Sequence, residues 1–166
     1  MPNIKTIAII SVVMATAAAI IYIINNQAYE TGLEPQSNKE RYHQAKIDID
    51  GFEILADVAY TDEQLEKGLS IKDNLNEDEG MLFIFQNEGQ HNFWMNNMKF
   101  PIDILWLDAA GKVIHIESNL QPCTSEFNCT VYEPQNNSLY VLETVAGFAE
   151  KHQVEIGTDI DFELIR

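Results

Sequence analysis

Basic residues are scarce in this chain: ten Lys and Arg stand against 26 Asp and Glu in 166 residues, a net charge of −16. From Lys46 onward, 7 basic residues face 23 acidic ones, so residues 46–166 carry the whole imbalance. Such a surface repels phosphate backbones, which argues against a nucleic-acid partner and for solubility or a cationic partner. Cysteine is nearly absent. The two residues present, Cys123 and Cys129, lack Cys-x-x-Cys spacing and have no His between them, which argues against a metal or redox pair. No Gly-x-Ser-x-Gly, His-Glu-x-x-His, phosphate loop or dinucleotide fingerprint occurs, so no cofactor is expected and no motif names an enzyme class. Internal repeats and low-complexity tracts are missing too.

What is present begins with residues 7–24, IAIISVVMATAAAIIYII, eighteen positions without a charge. As a helix they would span roughly 27 Å, close to the apolar thickness of a bilayer. A helix apolar on every side has no solvated face, so the segment reads as a transmembrane anchor. Lys5 precedes it while Glu30 and Glu34 follow, which places residues 1–6 in the cytoplasm and the rest outside. A cleaved signal peptide is the alternative, with small residues at Thr16, Ala17 and Ala19, although Ile20–Ile24 continues the apolar run beyond them. Either way the remainder is exported. Residues 25–45 are polar and aperiodic, a flexible linker with a reach of roughly 25 Å.

In an oxidising compartment, Cys123 and Cys129 most simply form a disulfide, contributing about 2 kcal/mol on the chain-entropy model. Two Asn-x-Ser/Thr triplets, at Asn128 and Asn136, match the glycosylation acceptor pattern.

Residues 46–166 are long enough to bury one core. Alternation predicts strands over 46–50 and 52–60, joined by a tight Asp50-Gly51 turn. Thr61 with Gln64 resembles a capping box that opens a short helix ending at Gly68. A solvated acidic loop is expected at 74–79. Strands follow at 81–85, 92–98, 102–107, 112–117, 138–143 and 160–165, with a second short helix at 146–152. Many short strands with frequent turns indicate a mainly β, compact antiparallel sandwich or barrel carrying two short helices.

Several segments together resemble the domain-of-unknown-function family 192: EDEGMLFIF (77–85), FWMNNMKFPIDILWLDAAGKVI (93–114), the cysteine loop, and YVLETVAGFAEKHQVEIGTDIDF (140–162). The resemblance implies an exported or membrane-attached, mostly antiparallel β domain, and it brings no activity. The chain departs from the family pattern at 68–72, where Lys72 stands near the usual Arg; Lys keeps the charge without the bidentate fork.

Two carboxylates fall inside apolar strands, Asp103 in FPIDILW and Glu143 after LYVL. A buried carboxylate is costly unless paired or hydrogen-bonded. One reading is structural, each carboxylate capping loop amides or pairing with Lys99 or Lys112. The functional reading groups Asp103 and Glu143 with Trp94, Asn97 and Asn96 around a pocket for a small polar ligand such as a sugar. That makes the domain a membrane-tethered binding or accessory module, whose partner is a small polar ligand or a membrane protein. Alternatives are a hydrolase using both carboxylates on glycans, and a copper site in which His91 and Met95 share a strand face. Met95, Met98 and Met81 fit a core equally well.

Deleting residues 1–24 is expected to move the protein from the alkali-resistant membrane pellet to the soluble fraction. N-terminal sequencing of the mature full chain separates anchor from signal: a start just after Ala19 selects cleavage, and an intact start selects the anchor.

Overall fold

Alternating apolar and polar residues build the first hairpin, β1 (His43–Ile49) and β2 (Phe52–Ala59). Ala45, Ile47 and Ile49 of β1 and Ile54, Ala56 and Val58 of β2 point to one side and are buried. The chain reverses at Asp50 and Gly51, whose φ values of 49° and 87° suit the tight turn between twisted strands. The computed structural model describes residues 42–123 and 129–165. The segments read as cytoplasmic N-terminus (1–6) and anchor (7–24) lie outside the described residues, as do 25–41 of the linker and Asn128 of the first acceptor triplet. Among the described residues no helix is long and apolar enough to cross a membrane. β1 begins at His43, within the stretch read as linker.

After β2, Thr61 opens the helix α1 (Asp62–Lys67): its hydroxyl accepts from the Gln64 N–H, and the Gln64 side chain accepts from the Thr61 N–H, the reciprocal capping expected of this spacing. A 3₁₀ turn, Gly68–Ile71, continues it. This connection brings the chain back in the direction it left, so β3 (Glu79–Gly89) pairs parallel to β2. The expected compact antiparallel sandwich or barrel is therefore corrected to a mixed sheet, because a helical crossover between β2 and β3 replaces a hairpin.

The remaining strands are β4 (Phe93–Trp94), β5 (Ile102–Leu107), β6 (Val113–Leu120), β7 (Val131–Tyr132), β8 (Ser138–Val145) and β9 (Asp161–Ile165), with helix α2 (Phe148–Lys151) before the last. Seven of them form one sheet in the order β6-β5-β8-β3-β2-β1-β9, and β4 and β7 form a separate ribbon. The two ends of the large sheet meet. Lys112, just before β6, bridges antiparallel to Asp159, just before β9. The Val113 N–H donates to Thr158 O at 2.9 Å and the Ile160 N–H to Gly111 O at 2.9 Å. The sheet thus rolls into a barrel closed along this seam.

One apolar core fills the inside, fed by all seven strands and by Phe148, Ala149 and Val154. A second lies on the outer face of β3, β5 and β8, beneath Leu69, Leu75, Met95 and Leu120. β5 is consequently buried at all six positions, which explains why its sequence is apolar at every position but Asp103 where a one-sided strand would alternate. The strand expected over 92–98 shrinks to Phe93–Trp94, and the short β7 has no apolar run to announce it. The acidic loop at 74–79 is only partly solvated, with Leu75 buried and Glu79 opening β3.

At the seam, Gly111 has φ +82°, and a Cβ there would meet Ile160 O at 2.6 Å. Gly111→Ala is expected to cost about 2 kcal/mol or more from strain and steric overlap. Lys112→Ala, which removes the exposed ion pair with Asp159 and the Nζ bond to Gly157 O, should cost under about 1 kcal/mol. Urea unfolding of both variants measures the difference.

Candidate functional site

The two embedded carboxylates do not converge. β5 and β8 are antiparallel neighbours, with Asp103 opposite Thr144 and Ile104 opposite Glu143. Directly opposed residues share a face and adjacent residues alternate. Asp103 and Thr144 therefore point into the barrel with Leu105 and Leu142, whereas Glu143 points to the outer core with Ile104 and Met81. The pocket expected from Trp94, Asn97, Asp103 and Glu143 together is corrected on this ground: a one-residue step along β8 sends the second carboxylate to the opposite side.

Asp103 takes the structural reading. Its Oδ1 accepts from the Asn119 N–H at 2.7 Å and the Gly147 N–H at 3.0 Å, and its Oδ2 from the Ala149 N–H at 2.9 Å. Gly147 is the N-cap of α2 and has no side chain to cap it, so the carboxylate from the neighbouring strand satisfies the free amides of that helix start. Lys99 pairs with Asp73 and Lys112 with Asp159, so neither cation serves the buried acids. Thr144, beside Asp103, is fully buried with its Oγ1 unpartnered among the described residues. No signal in the sequence marked it.

Glu143 is buried beneath the 3₁₀ turn. A Cβ on Gly68 would lie 3.3 Å from the Phe83 ring and 3.8 Å from Glu143 Oε2. The Leu69 N–H donates to the carboxyl, while Oε2 has no partner among the described residues. Loss of water raises its pKa from 4.5 to about 8, against the opposing pull of the Leu69 N–H. At neutral pH Glu143 is a neutral acid in an apolar wall. Close by on the sheet, Lys72 pairs with Asp57 at 3.0 Å, both half-buried, which accounts for the charge kept at that position.

Trp94 and Asn97 are both exposed. Phe93 packs edge-on against Phe83 at 4.9 Å and Trp106 at 5.8 Å, and Met95 is buried at 1% exposure. Between these two inward anchors Trp94 is turned outward, 45% exposed. It pairs with Val131 of β7, itself 55% exposed. The Met98 N–H donates to Met95 O at 3.3 Å, and Asn97 takes φ +59°, a left-handed turn conformation that Asn tolerates. Asn97 is exposed and lies in the turn three residues beyond Trp94, where β4 ends. Beneath, Trp106 Nε1 donates to His91 O at 2.8 Å.

His91 and Met95 do not form a metal pair. The His91 ring stacks on Phe85 at 3.5 Å and one nitrogen lies 3.1 Å from Asn87 O, while Met95 belongs to the outer core. Among the described residues no group of three His, Cys, Asp or Glu is placed to hold a metal. Cys123 and Cys129 are joined as a disulfide, with Cα atoms 5.6 Å apart. Elsewhere, Glu77 bonds both Lys151 and His152 at 2.7 Å, and these hold its carboxyl below the usual range, Lys151 first. A shallow cleft of about 310 Å³ lies over Lys46, Asp48, Glu53, Asp161 and Glu163, remote in sequence from every candidate residue.

The family model described as Uncharacterized ACR (DUF192) matches residues 45–162. The fold is similar to the crystal structure of a proposed transcription regulator from Sinorhizobium meliloti 1021, with 25% identity over 74% of this chain and 94% of that one, and a TM-score of 0.65. It is also similar to a protein of unknown function from Novosphingobium aromaticivorans DSM 12444, with 24% identity over 71% of this chain and 83% of that one, and a TM-score of 0.62. No curated protein matches.

Folded Glu143 keeps a proton that the unfolded chain releases near pH 4.5. Its contribution is fully present below that value, is lost as pH rises, and levels off above about 8. At about 1.4 kcal/mol per pH unit this amounts to several kcal/mol across the window. Glu143→Gln is expected to flatten the decline of thermal midpoint between about pH 5 and pH 9. An unchanged slope in the variant contradicts the assignment.

Proposed function

The chain belongs to the DUF192 family of uncharacterized proteins, and on that footing we propose that it is a binding module, held at the outer face of a membrane, for a small polar ligand of the sugar class. The family assigns no activity, so the argument rests on the site. One observation carries it: Trp94 is held half-exposed on a ribbon whose flanking residues, Phe93 and Met95, are fastened inward. A large aromatic side chain gains most by burial, so a fixed outward Trp is a notable exception to ordinary packing. With Val131 opposite it, the ring offers an apolar ledge, and the Asn97 amide at the ribbon's end supplies donors and an acceptor. A sugar presents the matching pair of surfaces, a C–H face and a rim of hydroxyls. The apolar run at 7–24 supports the membrane placement.

The hydrolase reading lacks its chemistry. General acid and base must flank one bond, and here one carboxylate is occupied by three N–H groups while the other faces away. The copper reading finds no ligand set among the described residues, where the His91 ring is stacked on Phe85 and Met95 lies in the outer core. Direct contact with nucleic acid, of the kind the description of the S. meliloti protein brings to mind, is opposed by the net charge of −16.

The test is a glycan array probed with the full chain, followed by titration of the best binder. Trp94→Ala is expected to weaken binding at least 10-fold while leaving stability within about 1 kcal/mol, since the side chain is half-exposed. Trp94→Phe should retain part of the affinity. An array without binders, or binding indifferent to Trp94→Ala, sinks the proposal.

A further inference from the structure

β4 and β7 pair over two residues only, Phe93 with Tyr132 and Trp94 with Val131. A ribbon so short has little stability of its own. Its two sides are fastened differently. The Trp94 side is held by Phe93 and Met95 in the outer core and by Trp106 Nε1 on His91 O. The Val131 side has the half-buried Tyr132 and, two residues before Val131, Cys129. On the far flank of the same segment, Cys123 forms a parallel bridge with Asn96 and its N–H donates to Met95 O at 3.1 Å. Residues 93–96 therefore contact the chain just before the disulfide loop and the chain just after it. The Cys123–Cys129 bond ties those two contacts into one ring.

Resting on the binding function proposed for Trp94, we infer that this disulfide is a redox-controlled clasp: oxidised, it holds Val131 against Trp94 and completes the ledge; reduced, it lets β7 leave. Both cysteines are half-buried, so a thiolate can reach them. The reductant is a dithiol. Its thiolate attacks one sulfur, the other sulfur leaves as a thiolate and takes a proton, and the second thiol of the reductant resolves the mixed disulfide. Two thiols remain on this chain, and the reductant carries the disulfide, a balanced transfer of two electrons and two protons. The barrel lacks any other covalent link and does not need this one, because its seam and its inner core lie elsewhere.

The experiment compares hydrogen exchange of the full chain, oxidised and after dithiothreitol, with a Cys123→Ser/Cys129→Ser variant as the permanently open form. Opening a loop of this size should speed exchange over residues 129–133 by roughly 30-fold, with β5 and β8 unchanged and the variant matching the reduced protein. Glycan binding should fall together with that protection. Equal exchange in both states overturns the clasp, as does acceleration spread evenly over β5 and β8, or glycan binding that survives reduction intact. If the ribbon opens as described but the oxidised chain binds no glycan, the clasp stands as a structural device and the function assigned to Trp94 falls.

Discussion

A strand covered by apolar cores on both faces admits a polar side chain only where local groups meet its hydrogen bonds, or where it surrenders its charge. β5 and β8 run through the middle of this domain under that constraint. Asp103 meets it by collecting three amides, one from β6 and two from the start of α2, which makes one carboxylate the common fastening of the β6 end and that helix. Glu143 meets it by holding a proton. Thr144 follows Glu143 on β8 and lies opposite Asp103, buried and pointing the way Asp103 does. The rolled sheet, the two cores and the docking of α2 all depend on these neighbouring rungs being tolerated.

The same constraint explains what was legible from the residues. Hairpin β1–β2 was readable because it is buried on one side, and one-sided burial writes itself as alternation. The cap of α1 was readable because Thr61 and Gln64 satisfy each other within one turn. The parallel β2–β3 pairing was not, since a crossover and a hairpin differ in the path of residues 60–78 and not in the apolar pattern of the strands they join. The site was half legible. Embedded carboxylates announced that something must compensate them, yet which face each one takes depends on register, and a single residue reverses it. Trp94 and Asn97 stood out as residue types; alternation sets Phe93 and Met95 on one face and Trp94 on the other, but nothing in the pattern said which face would turn inward.

The ledge proposed for a ligand sits on the outer layer. The barrel supplies a rigid floor of Phe83, Trp106 and Val141, and the irregular segments above it carry the exposed aromatic, the turn amides and the disulfide. Division of labour between a fixed scaffold and variable connections is common among binding proteins. It also separates what stabilises the domain from what a ligand would touch, because no residue of the ledge contributes to the seam or to the inner core.

The neighbour of β1 in the sheet is β9. The first strand to leave a ribosome or an export channel must therefore wait for the last before its second edge is covered, and the seam at Gly111 waits for residue 160. Such closure carries a large sequence separation, which slows folding and leaves strand edges exposed meanwhile. A truncated or stalled chain would present β1 with an open edge, an invitation to pair with another copy. Quality control during synthesis, more than the finished barrel, is where C-terminal lesions in this protein would be felt.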